Sequence, residues 1–203
     1  MERNLNKGVK TIGNILKLTS PIPVSVNHYI KPRPFITWKG KTPIANVTMY
    51  ETAEAKAYKK QFKKYVIEQI KEQDYSLTPT KTQHFYIDCV FYFERTDQDP
   101  NNYFKLPLDA ITETQLIWLD DNTTCERVNA IYYDAKNPRI EITIKPVDYI
   151  GIFTTINHLN EFKDKCATCT RSKRNCSILN KAIEGRIQEE ISEGVCNKYK
   201  IIK

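Results

Sequence analysis

The chain has 203 residues, of which 40% are hydrophobic and 27% are charged, and its formal net charge is +7. This composition is typical of a globular protein and excludes a largely disordered chain. No apolar run approaches the roughly 18 residues of a transmembrane helix, and the N-terminal segment lacks a hydrophobic signal-peptide core. We therefore expect a cytoplasmic protein with no membrane partner.

Strand and helix patterns alternate along most of the chain. An apolar strand is predicted over 11–18, and the proline-punctuated segment after it cannot be helical for long. Apolar residues at helical spacing predict a helix over 49–73, and aromatic and β-branched residues predict a strand over 84–94. A second helix is predicted over 101–113, where Pro107 is tolerable only near the helix start.

Two further strands are predicted near the end of this alternation. Residues 126–134 and 139–146 alternate apolar and polar side chains, and the four-residue stretch Ala135–Pro138 between them is typical of a hairpin turn. We therefore expect these two strands to pair directly. The order of elements predicts an α/β (α+β) fold, in which two main helices cover a mixed β-sheet.

The last quarter of the chain differs from the rest. We expect residues 1–150 to form the main domain and residues 151–203 to form a small helical tail. Residues 147–155 have the character of a linker, and a helix is predicted over 177–193. A tail of this length is expected to be too short to bury a stable core of its own.

The positive charge is concentrated in one segment. Residues 31–64 hold nine Lys and Arg residues against Glu51 and Glu54, so this segment alone accounts for the net charge of +7. Such a patch favours a polyanionic partner such as nucleic acid, because Lys and Arg displace the counterions condensed on phosphates. The alternative is a solvated helix face with an adjoining loop. The candidate DNA contacts are Lys31, Arg33, Lys59, Lys60, Lys63 and Lys64.

Acidic residues recur where predicted elements end. Asp97 and Asp99 follow a strand, and Asp120 and Asp121 follow a helix and a short apolar run. Clustered carboxylates repel one another unless a cation lies between them, and Mg²⁺ prefers carboxylate and water oxygens. Lys105 lies six residues after Asp99 and would stabilise a transition state of phosphoryl transfer. The alternative is that these Asp residues are ordinary helix caps and turn residues.

The combined motifs resemble those of RusA-type Holliday junction resolvases, especially their phage relatives. The family pattern D-x-D-N-x-x-K, then L-D-A-L, then D-D is matched by DPNNYFK at 99–105, LDAI at 108–111 and IWLDD at 117–121. Upstream, PIPVSVNHY at 21–29 is similar to the proline-rich entry of the family, and 53–70 is similar to its basic first helix. The resemblance extends over roughly residues 11–147.

The resemblance implies a Mg²⁺- or Mn²⁺-dependent endonuclease that acts on branched DNA as a homodimer. It implies that Asp99 and Asp121 are metal ligands and that Lys105 is the cationic assistant, with supporting roles for Asp120 and Asn102. Asn101 stands where the family usually has its second Asp, and it offers a neutral carbonyl oxygen to the metal. The full candidate set is catalytic Asp99, Asn101, Lys105 and Asp121, with Asp97, Asn102 and Asp120 in support.

Two functions remain open on these residues. The first is a structure-selective endonuclease that resolves four-way junctions during phage recombination or replication inside a bacterial host cell. The second is a catalytically weakened protein that keeps the fold in order to bind junctions or a protein partner. The Asp and Lys constellation favours the first function, and Asn101 favours the second. If Asp97 reaches the same site, it would compensate for the missing carboxylate.

Six cysteines fall into two groups. Cys89 and Cys125 stand apart in the sequence and are predicted to be buried as small hydrophobic residues. The other four cluster in the tail, where a zinc ion bound by four thiolates would organise the segment. An iron–sulfur cluster and unrelated free thiols are the alternatives. The candidate zinc ligands are Cys166, Cys169, Cys176 and Cys196.

Overall fold

A computed structural model describes residues 14–202 of the chain. These residues divide into two compact units. The first unit contains the chain up to Pro79 together with Tyr86–Lys145, and the second contains Thr80–Phe85 together with the chain from Pro146 onward. No helix in the described part of the chain is long and apolar enough to cross a membrane.

The first unit is built around a four-stranded sheet. In spatial order its strands are β1, β6, β4 and β5. Strand β1 pairs antiparallel with β6, so that Leu16 lies opposite Ile144 and Pro21 opposite Arg139. The strand predicted over 11–18 therefore begins later than expected, and residues 11–13 lie outside the described residues. The strand bounds are Leu16–Pro21 for β1, Phe85–Phe93 for β4, Thr124–Tyr133 for β5 and Arg139–Pro146 for β6.

The predicted direct pairing of β5 with β6 is wrong, because β4 lies between these strands. Strand β4 buries six of its nine residues, including Phe85, Phe91 and Phe93. One face of β4 is apolar and buried, and on its other face Asp88 pairs with Arg127 on β5 and with a lysine on β6, so an interior position satisfies both faces. The alternation of residues in β5 and β6 predicted two strands correctly, but it contained no information about their partners.

Two helices support the sheet and the candidate site, as predicted. Helix α2 (Ala53–Glu72) contacts β1 and helix α3, and it buries Ala55, Phe62 and Val66. Its first turn is capped by Thr52, whose side chain accepts a hydrogen bond from the Ala55 amide. Helix α3 (Lys105–Thr112) places Pro107 in its first turn, where the missing N–H has no intrahelical partner to lose.

A long β-hairpin that was not predicted from the sequence precedes α2. After the short helix α1 (Val26–Tyr29), strands β2 (Ile30–Lys39) and β3 (Thr42–Glu51) pair antiparallel along their whole length. Gly40 takes a positive φ of 64° in the connecting turn, a conformation that favours glycine. All ten residues of β2 are exposed to solvent. We call residues 30–51 the ribbon.

The second unit has an apolar core, contrary to expectation. Phe153, Leu159, Phe162 and Ala182 are buried together, so neither a coreless tail nor a linker over 147–155 is correct. The helices of this unit are α4 (Ile156–Ala167) and α5 (Ile178–Ile183).

The long helix predicted over 177–193 is also wrong. Helix α5 ends at Ile183, and Gly185 then takes a positive φ of 81° that reverses the chain. The chain continues into a small hairpin formed by β7 (Ile191–Ser192) and β8 (Val195–Cys196). A glycine just after the last helical turn is the ordinary signal for a helix end.

Candidate active site

Strand β4 leads into the first acidic segment of the site. Asp99 caps the 3₁₀ turn Pro100–Tyr103, and its Oδ1 accepts a hydrogen bond of 3.0 Å from the Asn101 amide. Asp97, Asp99 and Asn102 all border one open cavity of about 290 Å³. This half of the site is therefore built on a turn that the Asp99 side chain itself stabilises.

Asp97 is already paired with a cation. Its carboxylate accepts hydrogen bonds from Arg95, one of them 2.9 Å long from Nε to Oδ1. The Arg95 guanidinium lowers the pKa of Asp97, so this carboxylate is charged at neutral pH. The pairing weakens the expectation that Asp97 replaces the carboxylate missing at Asn101, since a metal would have to compete with Arg95.

The second acidic segment follows a buried anchor. Ile117 and Trp118 are fully buried, and they fix the chain just before Asp120 and Asp121. Asp120 caps the next 3₁₀ turn, Asp121–Thr123, by accepting a hydrogen bond of 3.0 Å from the Asn122 amide. Asp120 therefore supports the turn, while the Asp121 side chain is left to interact with α3.

Lys105 joins this second segment to α3. Its Nζ lies 2.7 Å from Oδ1 of Asp109, four residues further along the helix, and 3.0 Å from Oδ2 of Asp121. The hydrogen bond to Asp109, and after it the one to Asp121, raises the pKa of Lys105. The ammonium group is therefore held in its charged form next to one of the predicted metal ligands.

The predicted metal ligands have suitable chemistry. Asp99 and Asp121 offer carboxylate oxygens and Asn101 offers an amide oxygen, which are the donors that Mg²⁺ takes. They lie on the two 3₁₀ turns, both of which contact α3. Across residues 14–202, however, no group of three or more His, Cys, Asp and Glu side chains is arranged to hold a metal ion. The donor types fit a hard cation, with one carboxylate on each turn.

A network of polar side chains that was not predicted from the sequence connects to Lys105 through Asp109. The Tyr29 hydroxyl donates to Oδ2 of Asp109 at 2.6 Å and lies 3.1 Å from Oε1 of Glu51. Glu51 in turn accepts a hydrogen bond of 2.8 Å from Nζ of Lys59, which also pairs with Glu113. Burial, followed by the hydrogen bond to Asp109, raises the pKa of Tyr29, so its hydroxyl keeps its proton and acts as a donor.

One signal in the sequence would have indicated this network. Asp109 lies between Leu108 and Ala110 in a helix whose residues are mostly apolar, one turn after Lys105, and a partly buried carboxylate in such a helix requires partners. The motif therefore contains one more structurally important carboxylate than the predicted set, and this carboxylate positions Lys105.

The predicted DNA contacts divide into two groups. Lys59 is buried, and Lys63 forms an ion pair of 2.6 Å with Glu113. The ammonium groups of both residues are therefore used in contacts within the first unit. Lys60 and Lys64 are exposed on α2, and the other two predicted contacts are exposed on the ribbon. Of the six predicted contacts, four are accessible to phosphate: Lys31, Arg33, Lys60 and Lys64.

The cysteines of the second unit border a common cavity. All four line one space of about 580 Å³, and none of them is in a disulfide. The Sγ atom of Cys169 lies 3.5 Å from the Lys200 amide, and this hydrogen bond lowers the pKa of Cys169. Burial, and then the other three thiols, raise the pKa of Cys166. Since no metal-binding group is found in the described part of the chain, the predicted zinc site stays a prediction.

The two remaining cysteines differ in burial. Cys89 is buried in β4, as predicted, whereas Cys125 in β5 is only partly buried.

Comparison with known proteins identifies the family. No curated protein matches the chain. The family model described as endodeoxyribonuclease RusA matches residues 21–145, which is more than half of the chain. The matched segment contains both 3₁₀ turns, α3, α2 and the ribbon. The chain therefore belongs to the RusA family of endodeoxyribonucleases, hydrolases that resolve Holliday junctions.

Proposed function

We propose that this protein is a Mg²⁺-dependent, structure-selective endonuclease that resolves Holliday junctions or other branched DNA in phage recombination or replication, in the cytoplasm of a bacterial host. Mn²⁺ is the expected substitute metal. The observation that carries the proposal is the ion pair between Lys105 and Asp121. Both residues, and the turn capped by Asp99, lie in the segment that the family model matches. The exposed cations of α2 and the ribbon provide a surface for phosphates.

Each predicted residue has a distinct task in this proposal. Asp99, Asn101 and Asp121 would hold the metal, which would lower the pKa of an attacking water and neutralise charge on the scissile phosphate. Lys105, kept protonated by Asp109 and Asp121, places a fixed positive charge beside the phosphate as negative charge develops on it. Asp120 caps its turn, the side chain of Asn102 borders the cavity beside the Asp99 turn, and Asp97 lies at the rim with Arg95.

A homodimer follows from the symmetry of the substrate. A four-way junction must be cut in two opposed strands, and two copies related by a two-fold axis would place one site on each strand. The dimer is therefore part of the proposed function, with branched DNA as the partner.

The second candidate is a catalytically weakened junction-binding protein. The observation that favours it is Asn101, which removes one negative charge from the donor set, while Lys105 already neutralises part of Asp121. Cleavage of a synthetic, end-labelled four-way junction in Mg²⁺ distinguishes the two. We expect paired, symmetric nicks that disappear in EDTA and are absent from a linear duplex of the same sequence. Tight binding without nicks would favour the weakened protein, and a gain of cleavage in Asn101→Asp would then identify the cause.

We further propose that the four tail thiols bind one structural zinc ion per chain. The support is that Cys166, Cys169, Cys176 and Cys196 border a single cavity and that the pKa of Cys169 is lowered. Metal analysis of freshly purified protein tests this, with Cys169→Ser compared against Cys89→Ser as the control. One zinc per chain, lost only in Cys169→Ser, is expected. Iron with a brown colour would favour the iron–sulfur alternative, and four titratable thiols without metal would favour free cysteines.

A further inference from the structure

The two faces of the ribbon have opposite chemical character. Residues paired across an antiparallel ladder project from the same face, and alternate residues of one strand project from opposite faces. Strand register places Lys31 opposite Tyr50 on one face and Ile36 opposite Ala45 on the other. A hydrogen bond of 2.7 Å from Asn46 to Thr37 agrees with this assignment, since both belong to the face of Lys31.

One face of the ribbon is apolar over almost its whole length. Its only charged residue is Glu51 at the base, and this carboxylate is paired with Lys59. Four large side chains of this face are 60–67% exposed, and Ile30 at the base is 40% exposed, whereas Phe35 and Ile44 on the opposite face are 41–44% exposed. A contiguous apolar surface of this kind marks an interaction site. The apolar face consists of Ile30, Pro32, Pro34, Ile36, Trp38, Pro43, Ala45, Val47 and Met49.

The opposite face is basic and polar. It carries Lys31, Arg33 and Lys39 together with threonine and asparagine side chains, and its larger apolar groups, Phe35, Ile44 and Tyr50, lie among these polar residues. Like charges on this face would repel the same face of a second copy, but they would attract phosphates. The apolar face has no such charges, so two copies can meet there without electrostatic repulsion.

The prolines of the ribbon favour contact through the face rather than through an edge. Pro32 and Pro34 in β2 and Pro43 in β3 have no N–H to donate, so the outer edges of both strands lack hydrogen-bond donors at these positions. Addition of another strand is therefore disfavoured. A two-stranded ribbon is also marginally stable alone in water, so covering its apolar face would stabilise it.

We infer that the apolar face of the ribbon binds the same face of a second copy of this chain, and that the basic face is thereby left free for DNA. This inference rests on the proposed homodimer and names its surface. A two-stranded ribbon of ten-residue strands measures about 33 Å by about 10 Å. Its face therefore supplies roughly 330 Å² of the about 800 Å² that a stable interface needs from each partner, so the dimer would also need contacts outside the ribbon.

Two matched double variants test the interface. Val47→Lys with Met49→Lys places two charges on the apolar face, and Ile44→Lys with Tyr50→Lys places two charges on the basic face. In sedimentation velocity over a range of concentrations, we expect a wild-type dimer. The first variant should raise the dimer dissociation constant by about 100-fold or more, because charges buried at an interface lack partners. The second should change it by no more than about threefold.

Tryptophan fluorescence gives an independent measurement, because the wild-type chain already contains a tryptophan on the apolar face. Trp38 lies on the apolar face and is exposed in the single chain, while Trp118 is fully buried. Acrylamide should quench Trp38 weakly in the wild-type dimer and strongly in the Val47→Lys, Met49→Lys variant. Equal quenching in both, a dimer unaffected by the apolar-face variant, or a wild-type monomer at all concentrations would each overturn the inference.

The junction cleavage assay separates this inference from the proposed function. A dimer that depends on the apolar face but makes no nicks would support the interface and contradict the nuclease proposal. Metal-dependent nicking by a chain that stays monomeric would support the nuclease proposal and contradict the interface.

Discussion

The two units of this protein keep polar groups in place by different means. In the first unit, ion pairs and hydrogen bonds connect Asp121 through Lys105, Asp109 and Tyr29 to Glu51, so each charged group has a partner of opposite charge or a donor. In the second unit, four thiols border a cavity beside an apolar core. The first arrangement is complete within the protein, whereas the second leaves room for a ligand. We therefore expect substitution of charged residues to change activity and stability in the first unit, whereas the reactivity of the thiols should depend on bound ligand in the second unit.

Thiol reactivity should show the largest difference between the units. Burial raises the pKa of Cys89 in the first unit to about 12, from 9.0. At pH 8 this leaves about 10³-fold less thiolate at Cys89 than at an unperturbed cysteine, and the thiolate is the reactive species. Cys169 is also buried, at 7% exposure, but it borders the cavity and its pKa is lowered, so in metal-free native protein it should react with iodoacetamide about 10³-fold faster than Cys89. Peptide mass spectrometry measures both rates, and labelling of Cys89 at a rate similar to Cys169 would contradict the burial argument.

Removal of the fixed charge at Lys105 should reduce catalysis strongly. We expect Lys105→Met to lower the single-turnover rate of junction cleavage by about 10²- to 10³-fold, because a preorganised positive charge beside the phosphate is lost. Junction affinity should change by less than about threefold. Lys163→Met, an exposed lysine on α4, serves as the control and should cleave at the wild-type rate. An unchanged rate in Lys105→Met would assign this lysine a purely structural role.

Loss of the buried cation at Lys59 should destabilise the first unit. Lys59→Met leaves Glu51 and Glu113 close together without their shared ammonium group, at an expected cost of about 3 kcal/mol in the free energy of unfolding. Lys60→Met, at the exposed neighbouring position, should change that free energy by less than about 0.5 kcal/mol. Urea denaturation monitored by Trp118 fluorescence checks both values, and equal stability of the two variants would remove the distinction between them.

The smallest effect is expected at the exposed lysines of α2. Lys60→Ala combined with Lys64→Ala should reduce the slope of log affinity against log salt by about 2, one for each phosphate contact that is lost. This corresponds to about tenfold weaker junction binding at moderate salt. Fluorescence anisotropy across a salt series measures the slope. An unchanged slope would place the DNA surface away from α2 and leave the ribbon as the candidate.

Local patterns predicted the two main helices and the four strands of the sheet in the first unit, but not the pairing of those strands. Helical spacing predicted α2 and α3, and aromatic content predicted β4, each within a few residues. The pairing of β5 with β6 was predicted wrongly, because the burial of β4 between them depends on the whole sheet. The ribbon was missed because Pro32, Pro34 and Pro43 argue against strands, although a proline is tolerated where its nitrogen faces outward from an edge.

Only the site residues that belong to the family motif could be proposed from the sequence. The family pattern contains both Lys105 and Asp121, but their direct contact was not predicted. The position of Asp109 indicates a carboxylate that needs partners, but no local signal identifies Tyr29, 80 positions away, as one of them. In the tail, cysteine spacing predicted a four-thiolate zinc site, which stays a prediction, and the four thiols border one cavity. The spacing gave no information on the apolar core around Phe153 and Phe162, which arises from residues that a short, polar tail was not expected to bury.

The central claim, a metal-dependent nuclease site that includes Asp121, is tested most directly by one paired experiment. Wild-type protein and Asp121→Asn are incubated with a four-way junction in Mg²⁺, and cleavage and binding are measured on the same samples, with Asp164→Asn on α4 as the control. We predict that Asp121→Asn abolishes cleavage while binding stays equal or becomes tighter, since a negative charge near phosphates is removed. Cleavage by Asp121→Asn at the wild-type rate would contradict the assignment of the site.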